Sequence, residues 1–444
     1  MSQLTPAAST EAAPPRTAQQ RRDSRRALVS SYLGSTVEFY DFLLYGTAAA
    51  LVFPQLFFSG VPEAAGIVLS YITLAAGYVA RPLGGIIFGH FGDKLGRKQM
   101  LFITMMIMGG VSVIMGLLPT SAQIGVAAPI LLVSLRVLQG IAVGGEWAGA
   151  ALMGMEHSKP TGRGFGASIA VSGGPSGAVL ATVVLGAFST MPEDDFLAWG
   201  WRIPFLLSAI LVGVALFIRY RVTESPDFLA AKAANATADQ SHKGAPIMQV
   251  LRRYPKELGL SIVAGFAPLF LQSLLATFAL TYAVQTGHSR ADALLMLTIA
   301  NFLHIFTIPA AAALSDRIGR RKVMLAGAAV GVIGIWPMFA LISDGNIWLL
   351  LIGFIIGNPL IQALMYGPMG AFISEMFATE VRYTGVSLAY QVSTTLGAGF
   401  APLIASGLLL AAGGTTTALA WFFCGLCIIS GIAFSLAPDR RSQA

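Results

Sequence analysis

The sequence predicts an all-α polytopic membrane protein with twelve transmembrane helices in two pseudo-symmetric six-helix bundles. Composition, the spacing of apolar segments and an internal repeat of loop motifs support this fold class. The 444 residues are 55% hydrophobic and only 11% charged, with a mean hydropathy of +0.72. So few charges cannot cover a water-soluble protein of this length. Cys424 and Cys427 lie in an apolar run, which argues against a disulfide framework and against cysteine-rich metal sites.

Apolar stretches long enough to cross the hydrocarbon layer recur along the whole chain. A transmembrane helix needs about 20 predominantly apolar residues. On that basis we predict twelve helices, over residues 27–58, 65–91, 99–118, 124–155, 164–190, 201–219, 257–285, 292–314, 323–342, 347–373, 384–411 and 416–437. Pro and Gly interrupt several of these segments, which membrane helices tolerate where neighbours or cavity water satisfy the freed backbone groups.

Basic residues are concentrated on one side of the predicted topology. Of 28 Lys and Arg, 24 fall in the N-terminal tail, the loops after even-numbered spans and the C-terminal segment. The loops on the opposite side hold only Arg290. The positive-inside rule therefore predicts that both termini are cytoplasmic. Because the basic residues are explained by orientation, the net charge of +7 gives no reason to expect a nucleic-acid partner.

Two loop motifs recur and divide the chain into halves. Residues 92–98 read GDKLGRK, and residues 315–321, which lie 223 positions later, read SDRIGRR. A second pattern of an acid, an Arg, a Gly and a Ser follows spans 4 and 10 at an offset of 219 positions. We therefore predict a disordered cytoplasmic tail (1–26), an N-terminal bundle (27–222), a cytoplasmic linker (223–256), a C-terminal bundle (257–437) and a cytoplasmic C-terminal tail (438–444).

Duplicated six-helix halves are a transporter architecture, in which substrate binds near the midplane and each side of the membrane gains access in turn. The chain contains no Gly-Lys dipeptide, so a Walker A phosphate loop is absent and an ion or proton gradient is the expected energy source. A receptor or enzyme would need a large soluble domain or a catalytic constellation, and the sequence shows neither. We expect a monomer without cofactor or metal, whose partners are a small organic anion, protons and the lipid bilayer.

Several segments carry a more specific signal. They are EFYDF (38–42), RPLGG (81–85), RVLQG (136–140), GGEW (144–147), WRIP (201–204), ESP (224–226) and RYTG (382–385). Together with the repeated D-x-x-G-R-[KR] loop, they resemble the metabolite:proton symporter family of the major facilitator superfamily. The resemblance implies the major facilitator fold and proton-coupled import of a metabolite through the cell (inner) membrane.

Within that family, the runs around spans 1, 2 and 4 are similar to the bacterial shikimate transporters, which implies shikimate or a similar hydroxylated carboxylate as substrate. Glu38 departs from the shorter Asp expected in that subgroup. The alternatives are a zwitterionic compatible solute, such as proline or betaine, and a dicarboxylate or tricarboxylate. The proline/betaine subgroup typically carries a long C-terminal coiled-coil extension, which this chain lacks. A drug or metabolite exporter would be expected to lack the EFYDF and GGEW segments.

Three carboxylates fall within predicted spans, and we predict that Asp41, Glu38 and Glu146 couple transport to protons. Ionisable groups inside a membrane are expensive, so each is a functional candidate. Glu38 and Asp41 share one helical face with Tyr45. Burial and mutual repulsion favour the neutral form of at least one acid, which could then load and release a proton near neutral pH. The structural alternative is an ion pair with Arg81 or Arg136 that only locks helices together.

The candidate substrate-binding residues combine arginines with uncharged hydrogen-bonding groups. They are Arg136, Arg81, Tyr45, Gln139, Asn301, His304, Gln362, Tyr366 and Tyr390. A planar guanidinium suits bidentate recognition of a carboxylate. Arg136 could equally be a structural partner of Asp41 or Glu146, Arg81 could serve a cytoplasmic gate, and most of the amides and phenols could simply join helices. His304 is the only ionisable group deep in the second half.

The repeated loops supply the candidate gate on the cytoplasmic face. Its predicted members are Asp93, Arg97, Asp316, Arg320, Glu156, Arg163, Glu375 and Arg382. The family resemblance implies a conformational latch, in which Asp93 lies near the N-terminus of a helix of the opposite half, where the macrodipole favours an anion. We expect Glu156 with Arg163 and Glu375 with Arg382 to extend the latch as charge networks. The alternative is an orientation signal on a solvated surface.

Overall fold

The computed structural model describes residues 17–188, 191–236 and 246–438, and all regular secondary structure in these ranges is helical. The long helices of the N-terminal half are α1 Ala18–Leu51, α2 Glu63–Leu95, α3 Arg97–Leu117, α4 Ala127–Glu156, α5 Arg163–Phe188 and α6 Phe196–Tyr220. Those of the C-terminal half are α7 Pro255–Gln285, α8 Arg290–Ile318, α9 Arg320–Ile342, α10 Ile347–Ser374, α11 Arg382–Ala411 and α12 Thr417–Leu436.

Eleven helical segments of the described chain are long and apolar enough to cross a membrane, and α1 is the one long helix that falls short. Its hydropathy is lowered by Glu38, Asp41 and the basic residues of its first turns. It nevertheless packs lengthwise against α5 inside the N-terminal half. With α1 as the twelfth helix, the architecture is the pair of six-helix bundles that the sequence predicts.

Two regional predictions need correction. Residues 18–26 were expected in a disordered tail, but α1 begins at Ala18 behind a capping box in which Thr17 and Gln20 bond to each other's backbone N–H. The rest of that tail lies outside the described residues. The linker is also partly helical, over Pro226–Ala236 and Pro246–Arg253. Residues 237–245 and 439–444, in the linker and the C-terminal tail, lie outside the described residues.

The two halves meet along two helix pairs, α2 with α11 and α5 with α8. These pairs are equivalent under the internal repeat, because α8 corresponds to α2 and α11 to α5. The helices of the C-terminal half are irregular beside this junction. Segments Leu274–Phe278 of α7 and Ile356–Gln362 of α10 are π-helical, and α11 is interrupted between Gly397 and Ala401. Such irregular turns in membrane helices accompany binding sites.

Glycines allow α2 and α4 to touch through their backbones. A Cβ at Gly140 would overlap the carbonyl of Gly77, and a Cβ at Gly144 would overlap the carbonyl of Arg81. Small residues at such crossings replace side-chain packing by close backbone contact. This contact sets the depth at which Arg81 lies relative to the polar side chains of α4.

We predict that Gly144→Val destabilises the protein, because the added atoms cannot fit against α2. Overpacking of a buried site costs about 1–3 kcal/mol. Thermal unfolding in detergent should show a lower midpoint than wild type. Gly213→Val is the control, since nothing lies within 4 Å of a Cβ at that position. Equal midpoints for the two variants would contradict the close contact of α2 with α4.

Candidate functional site

A cavity of about 1060 Å³ lies between the two halves. Its lining comes from α1, α2 and α5 on one side and from α7, α8, α10 and α11 on the other. It extends from Glu38 and Arg81 in the interior to Arg290 and Gly414 at the helix ends. Those ends lie opposite the interdomain linker. The cavity therefore opens at one end of the molecule, and the end that carries the linker, called the linker end below, is closed.

Arg81 is the cation on the inner part of the N-terminal wall. Its guanidinium lies 4.6 Å from the ring centroid of Tyr78 and 5.2 Å from that of Phe42. Within residues 17–188, 191–236 and 246–438 it makes no ion pair and no hydrogen bond. Stacking on aromatic faces orients a guanidinium while its N–H donors stay free. Arg81 is therefore positioned to donate hydrogen bonds to an anion in the cavity.

Glu38 lies on the same wall as Arg81. Its side chain is only 4% exposed, and its Oε2 has no hydrogen-bond partner in the described part of the chain. A second, small cavity of about 10 Å³ lies behind it and is also lined by Arg136 and Gln139. Glu38 thus borders both the substrate-sized cavity and the polar interior of the N-terminal half.

The facing wall offers uncharged hydrogen-bonding groups. Asn358 Nδ2 donates to Asn301 Oδ1 at 2.9 Å, and His304 Nε2 is hydrogen-bonded to Gln362 Oε1. The amide nitrogen of Gln362 has no partner among the described residues. Asn358 and Gln362 both belong to the π-helical segment of α10, and their spacing of four residues places them on one helical face, so both reach the same cavity.

Stacked aromatic rings close the inner end of the cavity. The rings of Trp147 in α4 and Tyr390 in α11 are parallel, with centroids 3.5 Å apart. The hydroxyl of Tyr390 is 2.7 Å from that of Tyr366 in α10. Because Trp147 and Tyr390 belong to opposite halves, this stack must separate before the cavity can open at the linker end.

Asp41 lies behind the cavity wall and does not line the cavity. Its carboxylate accepts hydrogen bonds from Ser112 Oγ at 2.7 Å and Ser208 Oγ at 2.5 Å. Although Glu38 and Asp41 were expected on one face, only Glu38 reaches the cavity, because Asp41 is turned toward α3 and α6. Neither acid forms an ion pair with Arg81 or Arg136 within the described ranges, so the structural alternative to proton coupling is not seen there.

Arg136, Gln139 and Tyr45 also lie behind the wall. Arg136 Nη1 donates to Gln139 Oε1 at 2.6 Å, and its guanidinium lies 4.1 Å from the ring centroid of Tyr45. The hydroxyl of Tyr45 donates to Thr73 at 2.6 Å. These three side chains are committed to one another or to neighbouring helices, and the cavity lining does not include them.

Glu146, the third acid of the predicted spans, does not line the cavity either. It forms an ion pair with Arg219 at 2.9 Å and accepts a hydrogen bond from Thr104 at 2.7 Å. The expected alternative partner, Arg136, is not involved. In the sequence Arg219 counts among the basic residues that flank the linker, but it is 1% exposed. The signal that could have revealed it is the need of a buried carboxylate for a counter-ion.

The predicted site residues thus separate into two groups. Those that line the large cavity are Glu38, Arg81, Asn301, His304, Gln362 and Tyr390. Those that do not are Asp41, Glu146, Arg136, Gln139, Tyr45 and Tyr366. The lining also includes Thr47, Tyr78, Thr281 and Gln285, which the sequence analysis did not select. Their residue types are too common in membrane helices to indicate which face points inward.

At the linker end, both copies of the repeated loop make the same contact with the opposite half. Asp93 accepts hydrogen bonds from the backbone N–H groups of Tyr383 and Thr384, at 3.1 and 2.9 Å, at the start of α11. Asp316 accepts from the N–H groups of Gly164 and Phe165, at 2.9 and 2.8 Å, at the start of α5. Each carboxylate therefore caps a helix N-terminus, where the helix dipole favours negative charge.

The charge networks beside these caps pair differently from our expectation. Glu156 lies 3.4 Å from Arg97 and 3.3 Å from Arg382, and Glu375 lies 2.6 Å from Arg320. The expected pairs within single loops, of Glu156 with Arg163 and of Glu375 with Arg382, are replaced by pairs between different loops. Arg97 with Glu156 and Arg320 with Glu375 join neighbouring loops of one half, whereas Arg382 reaches Glu156 across the interface because the two halves pack face to face here.

The start of the linker joins the same network. Glu224 accepts hydrogen bonds from the N–H groups of Arg97 and Lys98 at the start of α3, at 3.1 and 3.2 Å. Asp227 lies 3.3 Å from Arg163. The sequence analysis assigned no role to these two acids. Their contacts tie the linker to both the first repeated loop and the beginning of α5.

Comparison with known proteins agrees with this geometry. Residues 27–436 match the family of sugar (and other) transporters. The shikimate transporter of Escherichia coli (strain K12) is 38% identical over 421 residues, which cover 94% of this chain and 95% of the relative. The proline/betaine transporter of the same strain is 32% identical over 391 residues, covering 87% and 78%.

A solved structure shows the same fold. The proton:xylose symporter XylE bound to 6-bromo-6-deoxy-D-glucose superposes with a TM-score of 0.76 at 17% identity, over 95% of this chain and 97% of that chain. The chain belongs to the sugar (and other) transporter family of the major facilitator superfamily. Its class is therefore that of a multi-pass membrane transporter, and the family indicated by the sequence motifs is confirmed.

We predict that Asp93→Asn loosens the linker end. The side-chain amide carries no negative charge, and it has one acceptor oxygen where the carboxylate has two for the N–H groups of Tyr383 and Thr384. The closed state should lose about 1–2 kcal/mol, which corresponds to roughly tenfold more opening. The readout is thiol labelling of Ala151→Cys in a background without native cysteines. Ala151 is fully buried and packs beside Gly370 of the other half.

Asp194→Asn is the matched control for this experiment, since Asp194 is exposed at the opposite end of the molecule. It should leave the labelling rate unchanged. If Asp93→Asn labels no faster than this control, the caps do not hold the linker end closed.

Proposed function

We propose that the protein is a proton-coupled symporter that imports a small hydroxylated organic acid, shikimate or a compound like it, by alternating access. The observation that carries this proposal is the polarity of the cavity between the halves. One wall presents a guanidinium and a carboxylate that have no partner within the described part of the chain, and the facing wall presents amides, an imidazole and a phenol. Such a site matches a ligand with one carboxylate and several hydroxyl groups.

Arg81 is the proposed anchor for the substrate carboxylate. It lines the cavity and lacks an ion pair within the described residues, whereas Arg136 is committed to Gln139 behind the wall. An unpaired buried cation is unfavourable in the absence of a ligand and gains most from an incoming anion. In this assignment Arg81 binds the substrate, and Arg136 belongs to the polar interior around the proposed proton-binding residue.

The facing wall supports recognition of hydroxyl groups. Asn301, Asn358 and Gln362 provide both donors and acceptors, and His304 adds one of each when neutral. Sites built to hydrogen-bond a substrate hydroxyl reject analogues that lack it, because buried polar groups are then left unpaired. The 38% identical shikimate transporter agrees with this chemistry.

A dicarboxylate or tricarboxylate fits the cavity less well. Such a ligand would need a second free cation near Arg81. The other arginine of the lining, Arg290, begins α8 and precedes His304 by 14 residues, about 21 Å at 1.5 Å per residue. A zwitterionic osmolyte remains the second candidate, because Arg81 and Glu38 on one wall offer complementary charges and a proline/betaine transporter is 32% identical.

The proposed proton-binding residue is Asp41, with Glu38 as the acid that faces the cavity. Asp41 is buried without a counter-ion in the described ranges and is held by two hydroxyl groups. The two hydroxyl groups stabilise the charged form of this carboxylate only in part, so the carboxylate can take up a proton during the transport cycle. Glu146 receives a structural role, since Arg219 neutralises it.

The orientation that we propose places the linker end in the cytoplasm, with both termini on that side, in the inner membrane. The concentration of Lys and Arg at this end supports it. The cavity then faces the outside, and the structure corresponds to an outward-facing state with the cytoplasmic latch closed. Import requires the caps at Asp93 and Asp316 to release and the Trp147–Tyr390 stack to separate.

Substrate identity is tested by counterflow in proteoliposomes that contain the purified protein. Shikimate, quinate, 2-oxoglutarate, citrate and proline are offered as the exchanging solute, with and without a pH gradient. We expect exchange of shikimate or quinate and accumulation when the outside is acid. Proline exchange with stimulation by hyperosmotic shock would favour the osmolyte alternative and contradict the organic-acid assignment.

We predict that Arg81→Gln raises the KM for the organic acid about 10- to 100-fold, because a charge-assisted hydrogen bond contributes about 1.5–3 kcal/mol. Initial rates of uptake over a range of substrate concentrations provide the measurement. Arg317→Gln removes the same charge from an exposed position at the linker end and should leave the KM unchanged. An unchanged KM in Arg81→Gln would remove Arg81 from the substrate site.

We predict that Asp41→Asn abolishes accumulation driven by a pH gradient but preserves counterflow, since exchange needs no net proton movement. The matched control is Asp344→Asn, which alters an exposed acid. If Asp41→Asn accumulates substrate normally while His304→Gln does not, the coupling residue lies in the C-terminal half and our assignment is reversed.

A further inference from the structure

The hydrogen bonds that end at Asp41 form a chain across three helices. Arg136 Nη1 donates to Gln139 Oε1 at 2.6 Å, and Gln139 Nε2 lies 2.8 Å from Ser112 Oγ. Ser112 Oγ in turn lies 2.7 Å from Asp41 Oδ2. A second hydroxyl, that of Ser208, lies 2.5 Å from the other carboxylate oxygen, Oδ1.

The direction of this chain is fixed by its first member. A guanidinium can only donate, so the amide oxygen of Gln139 must face Arg136 and its NH2 group must face Ser112. An NH2 group can also only donate, so Ser112 accepts from Gln139. The single hydrogen of the Ser112 hydroxyl is therefore left for Asp41 Oδ2.

Ser208 is not fixed in this way. Its bond to Oδ1 of Asp41 is the one hydrogen bond of its side chain within the described residues. A serine hydroxyl can donate or accept, and on a helix it can donate to the carbonyl three residues earlier, as Ser172 does to Ile169. For Ser208 that carbonyl belongs to Phe205, which within the helix accepts the N–H of Ala209 and keeps a second lone pair. The carbonyl four residues earlier, that of Pro204, already accepts from the N–H of Ser208 and from Tyr40 at 2.9 Å.

We propose that the coupled proton binds to Oδ1 of Asp41 and that Ser208 is the group whose hydrogen bond reverses when it does. This inference rests on the proposed function, in which Asp41 carries the proton. The proton arrives from water and adds to Oδ1. The new O–H donates to Ser208 Oγ, and the Ser208 hydrogen turns to the carbonyl of Phe205. Ser112 remains a donor to Oδ2 in both states, because Gln139 keeps it in that role.

The other end of the chain leads to the substrate wall. The guanidinium of Arg136 lies 5.4 Å from the ring centroid of Phe42, and the guanidinium of Arg81 lies 5.2 Å from the same centroid. When Asp41 is neutral, the hydrogen bond that it accepts from Ser112 is no longer strengthened by a negative charge. The hydrogen bonds from Gln139 to Ser112 and from Arg136 to Gln139 weaken with it, so Arg136 is held less firmly. Ser112, Gln139 and Ser208 are therefore positioning residues for coupling, although they do not line the large cavity.

Transport assays test this inference with serine variants. Ser112→Ala and Ser208→Ala should reduce accumulation driven by a pH gradient by about tenfold or more, as expected for one charge-assisted hydrogen bond, while counterflow changes less than about twofold. Ser112→Thr and Ser208→Thr, which keep the hydroxyl, should restore accumulation. Ser172→Ala is the control, because Ser172 is buried and its hydroxyl, as far as the described residues show, bonds only the carbonyl of Ile169 in its own helix.

Infrared difference spectra between acid and alkaline samples give a second readout that does not require transport. The carbonyl band of protonated Asp41 is identified by its loss in Asp41→Asn. Ser112→Ala should shift this band to higher frequency, because Oδ2 loses its donor. Ser208→Ala should shift the band as well, because the O–H loses its acceptor. A band that is unchanged in Ser208→Ala would overturn the placement of the proton on Oδ1.

The outcomes separate this inference from the proposed function. If Asp41→Asn still accumulates substrate, the coupling residue is misassigned and both proposals fall. If Asp41→Asn is uncoupled but Ser112→Ala and Ser208→Ala both accumulate like wild type, only the inference about the hydroxyl groups is overturned. Uncoupling of both serine variants with intact counterflow supports the two together.

Discussion

The structure depends on the high free energy of an unpaired charge inside a membrane-spanning bundle. Glu146 meets this constraint by pairing with Arg219, and Asp41 meets it in part by accepting from two serines. Arg81 and Glu38 do not meet it within the described residues, and both border the cavity between the halves. Of these four groups, the two unsatisfied ones are therefore found where an external ligand can satisfy them. Arg136, which also has no ion pair in the described ranges, lies behind the wall over the ring of Tyr45.

Pseudo-symmetry and asymmetry have separate places in this molecule. At the linker end the repeated loops behave alike, since Asp93 and Asp316 each cap a helix of the opposite half. In the interior the halves differ. The N-terminal half holds the carboxylates and arginines, and the C-terminal half holds amides, His304 and phenols. In the function that we propose, the symmetric latch allows two rigid bundles to rock about a common centre, while the asymmetric centre lets one half bind the proton and both halves bind the solute.

The contacts around Phe42 suggest how the two ligands communicate. The guanidinium groups of Arg136 and Arg81 lie on the same aromatic ring, one facing the interior and the other the cavity. A change at Asp41 can thus reach the proposed substrate anchor through three hydrogen bonds and the two contacts at Phe42, without motion of a whole helix. Coupling of this kind requires only a modest free-energy difference between states, of the order of 1–3 kcal/mol.

The sequence by itself determined the helix number, the duplication, the family and the three carboxylates within the spans, because hydropathy and repeated motifs are local properties. It also identified the acids that the two copies of each loop motif share. Only the tertiary structure decided the partners. It separated Glu38 from Asp41, exchanged the expected pairs of Glu156 and Glu375, and revealed Arg219 as a buried counter-ion. The physical reason is that helical spacing fixes which residues share a face, whereas the rotation and depth at which neighbouring helices pack decide what that face meets.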